Sequence, residues 1–297
     1  LNLKSSEQAM ELRSYLLSQI EKAITLDERE REPYLNFVIV GAGPTGVELS
    51  GALSELKNHI LPSDFPELDF TKMKVYLVEG MDRVLPAMSE ESSKNAEKYL
   101  KGFGVEVMLN TMVSDYDGNV AHYKMKDESS GSINTKSLVW AAGVKGSFTE
   151  GLHHEVFGKG QRIMTDEYSK VKGTENIYTI GDLAMMKTEE FPEGHPQLAP
   201  VAMQQAEQLA ENFKRKEKNK ELLKFRYHDK GSMATVGRNK AVVDLPNAHL
   251  KGYPAWLAWM LLHLFQLIGF RNKVSVLVDW LWNYLTYDRG VRLIFRK

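Results

Sequence analysis

The sequence predicts an α/β fold that carries a dinucleotide-binding unit and closes with an amphipathic helical hairpin. Three observations predict it. A glycine-rich loop, Gly41-Ala42-Gly43-Pro44-Thr45-Gly46, lies between an apolar run and a helical segment. Strand-like and helix-like segments alternate around it, with a group of short strands inserted. The stretch 249–297 is aromatic, basic and helically periodic.

Bulk properties narrow the possibilities. The 297 residues are 43% hydrophobic and 26% charged, ordinary globular chemistry with room for two units and an appendage. A net charge of −1 offers no polycationic surface, so no nucleic-acid partner is expected. The charge is uneven. From Lys251 onward, seven cations (Lys251, Arg271, Lys273, Arg289, Arg292, Arg296, Lys297) face only Asp279 and Asp288, a net of +5 against −6 for the remainder. Trp256, Trp259, Trp280 and Trp282 share that tail. A basic, tryptophan-rich end on an acidic body suits an anionic lipid surface. The sequence contains no cysteine, which removes disulfides, thiolate metal sites and cysteine nucleophiles from these residues, and no metal site is expected.

The elements follow in order. Residues 5–28 read as an amphipathic helix, with Leu12, Leu16, Ile20 and Ala23 near the helical period and Ser5 or Ser6 as its cap. Phe37-Val38-Ile39-Val40 is a short buried strand. Residues 45–60 read as a helix, and Val75-Tyr76-Leu77-Val78 as a second buried strand ending at Glu79. A helix over 89–103 ends at Gly104. Short strands follow at 105–109, 112–117, 120–123 and 137–141, with a hairpin turn at Asp117-Gly118-Asn119. Further strands are expected at 176–180, 225–227, 232–236 and 241–244, and a helix at 199–216.

The loop fits G-x-G-x-x-G, and each glycine has a physical task. Gly41 permits the tight strand-to-helix turn, Gly43 lets the backbone approach a pyrophosphate, and Gly46 lets helix and strand pack closely. Pro44 and Thr45 open the helix, whose N-terminal amides and dipole favour the anion. Glu79 is the acid expected to hold the adenosine ribose and to repel a 2′-phosphate. It lies 33 residues beyond Gly46, more than the usual spacing of about 20, and the segment 61–66 reads as the loop that makes up the excess.

With Glu48 directly after the loop, GAGPTGVELSGAL resembles the second dinucleotide fold of type II NADH dehydrogenases, of the flavoprotein superfamily with two dinucleotide-binding domains. Val78-Glu79, Trp140-Ala141-Ala142-Gly143-Val144, Ile177 to Asp182 and Leu198 to Ala206 follow in the same order, before the aromatic tail. The resemblance implies NADH at Gly41, Gly43, Pro44, Thr45, Gly46, Glu48, Glu79, Ala142 and Gly143. It implies FAD at Gly181, Asp182, Ala202 and Gln204, with Asp182 accepting from the ribityl hydroxyls. Glu48 is implied as the catalytic residue, orienting the nicotinamide or relaying protons. The family often shows Ala-Gln-x-Ala-x-Gln near flavin and quinone. Here Ala199, Ala202 and Gln204 match, but Pro200 replaces the first Gln. The family also has an earlier glycine-rich loop for FAD, absent from these residues, so the segment carrying it is expected to lie outside the sequence. The implied organisation is a helix and linker of the flavin domain (1–34), an NADH-binding domain (35–145), the returning part of the flavin domain (146–248) and a membrane-docking tail (249–297).

In the tail, residues 252–270 form 19 residues without formal charge, roughly 28 Å as one helix and barely a bilayer core. Val274, Leu277, Val278, Leu281 and Leu285 then recur at helical spacing opposite Ser275, Asp279, Asn283 and Thr286. The expectation is an interfacial hairpin, with a single spanning helix over 252–270 and a buried or dimer-forming face as the alternatives. His263 and Gln266 are candidate quinone contacts beside Gln204. The activity implied is non-proton-pumping NADH:quinone oxidoreduction on the cytoplasmic face of the inner membrane, with NADH, FAD, a lipid quinone and membrane lipid as partners and a homodimer as a further expectation. Other readings are another flavin reductase of the superfamily and a membrane-bound NADH-binding module. The absence of cysteine argues against the sulfide:quinone enzymes.

Overall fold

The computed structural model describes residues 1, 3, 5–147 and 149–286. Asp288 and four of the tail cations, Arg289, Arg292, Arg296 and Lys297, lie outside the described residues. The chain divides into two compact units. One joins Leu1–Ala142 to the chain from Gly231 onward, and the other is Gly143–Lys230. The residues 231–248, expected with the flavin half, therefore belong with the dinucleotide unit.

The first unit opens with α1 (Ser6–Ile24), capped by the Ser5 side chain, which accepts from the Gln8 amide. Leu12, Leu16, Ile20 and Ala23 form its buried stripe, as the periodicity requires. A short turn, α2 (Glu32–Leu35), leads into β1 (Asn36–Val40), buried along its whole length. The helix α3 (Pro44–Glu55) follows, then a π-helical turn over Leu56–Ile60 and α4 (Leu61–Asp64), so the helix expected over 45–60 changes its winding after Glu55. β2 (Lys74–Val78) pairs parallel with β1. α5 (Glu90–Gly102) starts at Ser89, whose hydroxyl accepts from the Ser92 amide. With β3 (Val105–Met108) and β7 (Ser137–Trp140), the parallel sheet has the order β3-β2-β1-β7.

Between β3 and β7 lies an antiparallel meander of β4 (Thr111–Tyr116), β5 (Val120–Met125) and β6 (Ser130–Asn134). The Asp117 carboxylate accepts from the amides of Asn119 and Val120, both at 2.7 Å, and closes the hairpin. β6 was not anticipated. Its Ser-Gly-Ser-Ile-Asn sequence has little intrinsic strand preference, and it is held by five paired positions on β5.

The second unit holds β8 (Ile163–Thr165) parallel to β9 (Ala184–Met186), and the helix α6 (Ala199–Glu217). The strand expected at 176–180 is not formed. Only an isolated bridge joins Lys170 to Tyr178. Nor is one formed at 225–227, where Phe225 is buried but its amide donates to the Glu167 carbonyl. Residues 176–180 meet 169–171 through the Val171 amide to the Ile177 carbonyl and the Thr179 amide to the Ser169 carbonyl, too short a pairing for a ladder.

The chain then returns to the first unit as the antiparallel sheet β10 (Ser232–Gly237), β11 (Lys240–Leu245) and β12 (Ala248–Lys251). α3 crosses β10 at Gly51, where an added Cβ would lie 1.5 Å from the Val236 carbonyl oxygen. Asp244 on β11 accepts from the Ser89 amide and hydroxyl, the Ser92 hydroxyl and His249, tying the sheet to the start of α5. Burial opposes the charge on Asp244, but these bonds prevail and hold its carboxyl below the usual range.

The tail is a hairpin of α7 (Tyr253–Gln266) and α8 (Phe270–Thr286). The single span considered over 252–270 does not occur. The chain breaks after Gln266 and turns at Gly269, whose φ is +85°. At 14 residues α7 measures about 21 Å, short of the ~30 Å hydrocarbon core. Among the described residues no helix is long and apolar enough to cross a membrane.

Candidate functional site

The loop 41–46 stands at the carboxyl ends of β1 and β2, where an open parallel sheet presents its ligand crevice. Gly41 has φ +102°, and a Cβ there would strike Ala142 at 2.7 Å. Ala142, from the crossover after β7, therefore lies directly against the turn. At Gly46 a Cβ would sit 1.8 Å from the Gly41 carbonyl oxygen, so the helix can start this close to the strand only with glycine. Gly43 differs from both. Its φ is −69°, and a Cβ would meet nothing within 4 Å. The fold does not need glycine at 43, and the space beside it is open. Gly43 is also the N-cap of α3 and supplies no side-chain cap, with Pro44 in the first turn, which leaves the amide end of the helix facing that space.

Glu79 points into the loop. One carboxylate oxygen accepts from the Ala42 amide at 2.6 Å and the other from the Met81 amide at 2.9 Å. The acid thus sets the loop's conformation while remaining half-exposed.

Glu48, one turn into α3, faces the returning sheet and the tail. It accepts from the Thr235 amide. Burial raises its carboxyl above the usual range, against the opposing pull of Thr235 and of nearby His263. It lines a cavity of about 370 Å³ with Glu55, Trp256, Trp259, Trp280 and Tyr284 among the other walls. Neither His263 nor Gln266 is part of that lining. His263 stacks on Trp259 with ring centroids 4.0 Å apart, and its Nδ1 lies 2.7 Å from the Trp259 carbonyl oxygen. Gln266 is exposed at the last turn of α7. The tail residues beside Glu48 are therefore tryptophans, which the sequence marks only as amphipathic anchors.

In the second unit Gly181 adopts φ +71° and opens a short 3₁₀ turn over Gly181–Leu183, with Asp182 exposed. Ala202 on α6 packs against this turn, 3.3 Å from where a Gly181 Cβ would stand. The Gly181 amide donates to Gln205 Oε1 at 2.7 Å. Gln204 is engaged elsewhere. Its amide group donates to the His228 carbonyl at 3.0 Å and accepts from the His228 amide at 2.9 Å. The sequence points to Gln204, while the bond to the Gly181 turn comes from its neighbour Gln205. The signal available was burial, since α6 buries Val201, Gln205 and Asn212 on one face. Gly143, the first residue of this unit, has φ +69°.

Comparison with known proteins adds to this geometry. Residues 4–206 match the pyridine nucleotide-disulphide oxidoreductase family, and residues 229–287 match the NDH2 C-terminal domain. The chain is 36% identical to the type II NADH:quinone oxidoreductase Ndh of Mycobacterium tuberculosis, over 97% of this chain and 63% of that protein. It is 28% identical to the external NADH-ubiquinone oxidoreductase 2 of Saccharomyces cerevisiae mitochondria, over 94% of this chain and 56% of that protein. It thus spans less than two thirds of the length of these relatives. In fold it is similar to NDH2 from Plasmodium falciparum solved in complex with NADH, with a TM-score of 0.87, 19% identity, and 99% of this chain and 74% of that one covered. The α/β fold expected from the sequence is the fold of that structure.

Proposed function

From the premise that this chain belongs to the pyridine nucleotide-disulphide oxidoreductase family, we propose that it is the NADH-binding and membrane-docking portion of a non-proton-pumping NADH:quinone oxidoreductase. One observation carries the reading. The loop has an open face at Gly43, a position where the fold leaves room for a side chain, beside a carboxylate fixed at Glu79.

The pyrophosphate of NADH would rest on the amides at the start of α3, over Gly43, Thr45 and Gly46, where helix dipole and donors favour an anion. Glu79 would accept from the ribose hydroxyls and repel a 2′-phosphate, which selects NADH over NADPH. Ala142 and Gly143 keep the crossover small where the cofactor approaches. Gly181, Asp182 and Ala202 would hold FAD, with Gln205 rather than Gln204 fixing the Gly181 turn. FAD, when bound, supplies the hydride acceptor and the two-electron relay. Burial favours the protonated form of the Glu48 carboxyl, which suits a group that would supply a proton where a quinone is reduced. The aromatic cavity beside it suits the flat quinone head.

The hairpin would lie in the membrane interface. Leu261, Phe265, Ile268, Phe270, Val278, Leu281, Trp282 and Leu285 are all exposed large apolar side chains, and Arg271 stands among them. We place it on the cytoplasmic leaflet, where anionic lipid meets the basic tail. The test is the full-length protein with vesicles. It should carry a yellow flavin and oxidise NADH only when quinone is present. A colourless protein that binds NADH without turnover would overturn the reading.

A further inference from the structure

We propose that α8 is a lid over the Glu48 cavity, latched in water by Arg238 against Tyr284 and released by lipid. The inference rests on the membrane-docking reading above.

α8 differs from its partner helix in how it is held. α7 is rooted by Ala255, which is fully buried in a cluster with Ala241 and Val243 of β11. α8 buries no residue at all. It is nonetheless one wall of the cavity, through Trp280, Asn283 and Tyr284, while Glu48, Ala52 and Glu55 of α3 form the facing wall. Its attachments gather at two points. At the elbow Lys273 Nζ donates to the Phe265 carbonyl at 2.8 Å, next to Gly269 with its positive φ. Toward its far end Tyr284 is held by the β10–β11 turn. The Arg238 guanidinium lies 4.0 Å over the Tyr284 ring and donates to the Tyr284 carbonyl, and the Tyr284 hydroxyl lies 3.3 Å from Asn239 Oδ1. The Trp256 ring packs on the same tyrosine with centroids 5.5 Å apart.

A helix joined through a glycine turn to a rooted neighbour, with no buried residue of its own and a polar clasp toward its far end, is arranged to swing. The clasp is itself braced on α3, because the Arg238 amide donates to Glu55. Water favours the latched state. A bilayer favours the open state, because Trp280, half-buried on the cavity wall when latched, can then join the already exposed Leu277, Leu281 and Trp282 in the interface. Coupling of this kind is reciprocal, so a weaker latch must strengthen docking by the same factor. One cation–π contact corresponds to roughly 3- to 30-fold in that equilibrium.

The test uses the full-length protein on a cysteine-free background. Asn283→Cys reports the cavity face of α8 and Asp279→Cys the exposed face. In water, adding R238A should speed maleimide labelling at 283 by roughly 3- to 30-fold and leave 279 unchanged. R238K keeps the charge but loses the planar stack, so it should bind phosphatidylglycerol-containing vesicles more tightly than the parent. If R238A fails to fold, R238K carries the labelling arm as well. Unchanged labelling at 283, or weaker vesicle binding by R238K, overturns the lid while leaving docking intact. A parent protein that ignores vesicles overturns the docking reading and the lid with it.

Discussion

The carboxylate of Glu79 is hydrogen-bonded to the Ala42 amide at 2.6 Å, so the acid that ends β2 fixes the loop that ends β1. Removing it should act twice. Glu79→Ala leaves the Ala42 and Met81 amides without their acceptor, a loss of about 1.5–3 kcal/mol for a bond to a charged group. It also removes the proposed ribose acceptor and the charge that repels a 2′-phosphate. The expected result is NADH affinity at least ~10-fold weaker and a smaller preference over NADPH, read by fluorescence titration with both nucleotides. Equal affinities in the parent and the variant would count against the ribose role.

The three loop glycines should separate by mechanism. Gly46→Ala forces a Cβ into the Gly41 carbonyl, and a drop in stability of about 1–3 kcal/mol is expected from overpacking alone. Gly43→Ala meets no protein atom, so its melting temperature should match the parent within error. Its NADH affinity should still fall, because the added methyl would stand where the pyrophosphate is proposed to rest. Thermal melts beside nucleotide titrations give the comparison. A Gly43→Ala protein that binds NADH normally would remove the pyrophosphate from this loop.

The legible parts of the chain were those governed by local physics. The buried run at β1, the glycine loop, the Ser5 cap and the Asp117 turn are each decided within a few residues. What was not legible depends on distant partners. β6 is a strand because β5 lies beside it, and 176–180 is not one because a regular ladder is missing. Gln204 and Gln205 are neighbours with the same chemistry, and only the face of α6 that is buried separates them. The close contact of 231–248 with the first unit at Gly51 uses a missing side chain that is indistinguishable in sequence from any other helical glycine.

Glu48 should make the protein's behaviour depend on pH. Its carboxyl is raised above the usual range chiefly by burial, so between the unfolded and folded pKa values the native state binds more protons than the unfolded one. Stability therefore falls as pH rises through that window. Glu48→Gln keeps an acceptor for the Thr235 amide and removes the buried charge. It should flatten this slope and melt higher than the parent at alkaline pH, while quinone reduction slows if Glu48 supplies the proton. Melts across pH and single-turnover quinone reduction give the two readouts. A Gln variant with the parent's slope would exclude Glu48 as the titrating group.

Gly51 couples the cofactor helix to the sheet that carries the tail. A methyl group there would stand 1.5 Å from the Val236 carbonyl, a backbone atom that cannot rotate away. β10 must shift, and with it Thr235, which donates to Glu48, and the Arg238 turn, which donates to Glu55. Gly51→Ala should cost about 1–3 kcal/mol, as overpacking typically does. The loop itself is untouched, since Gly51 lies two helical turns beyond Gly43. NADH affinity should therefore survive in the fraction that stays folded, while vesicle binding weakens. Measuring both on one preparation decides the matter. Parallel loss of NADH binding and docking would mean that α3 moves as one rigid body.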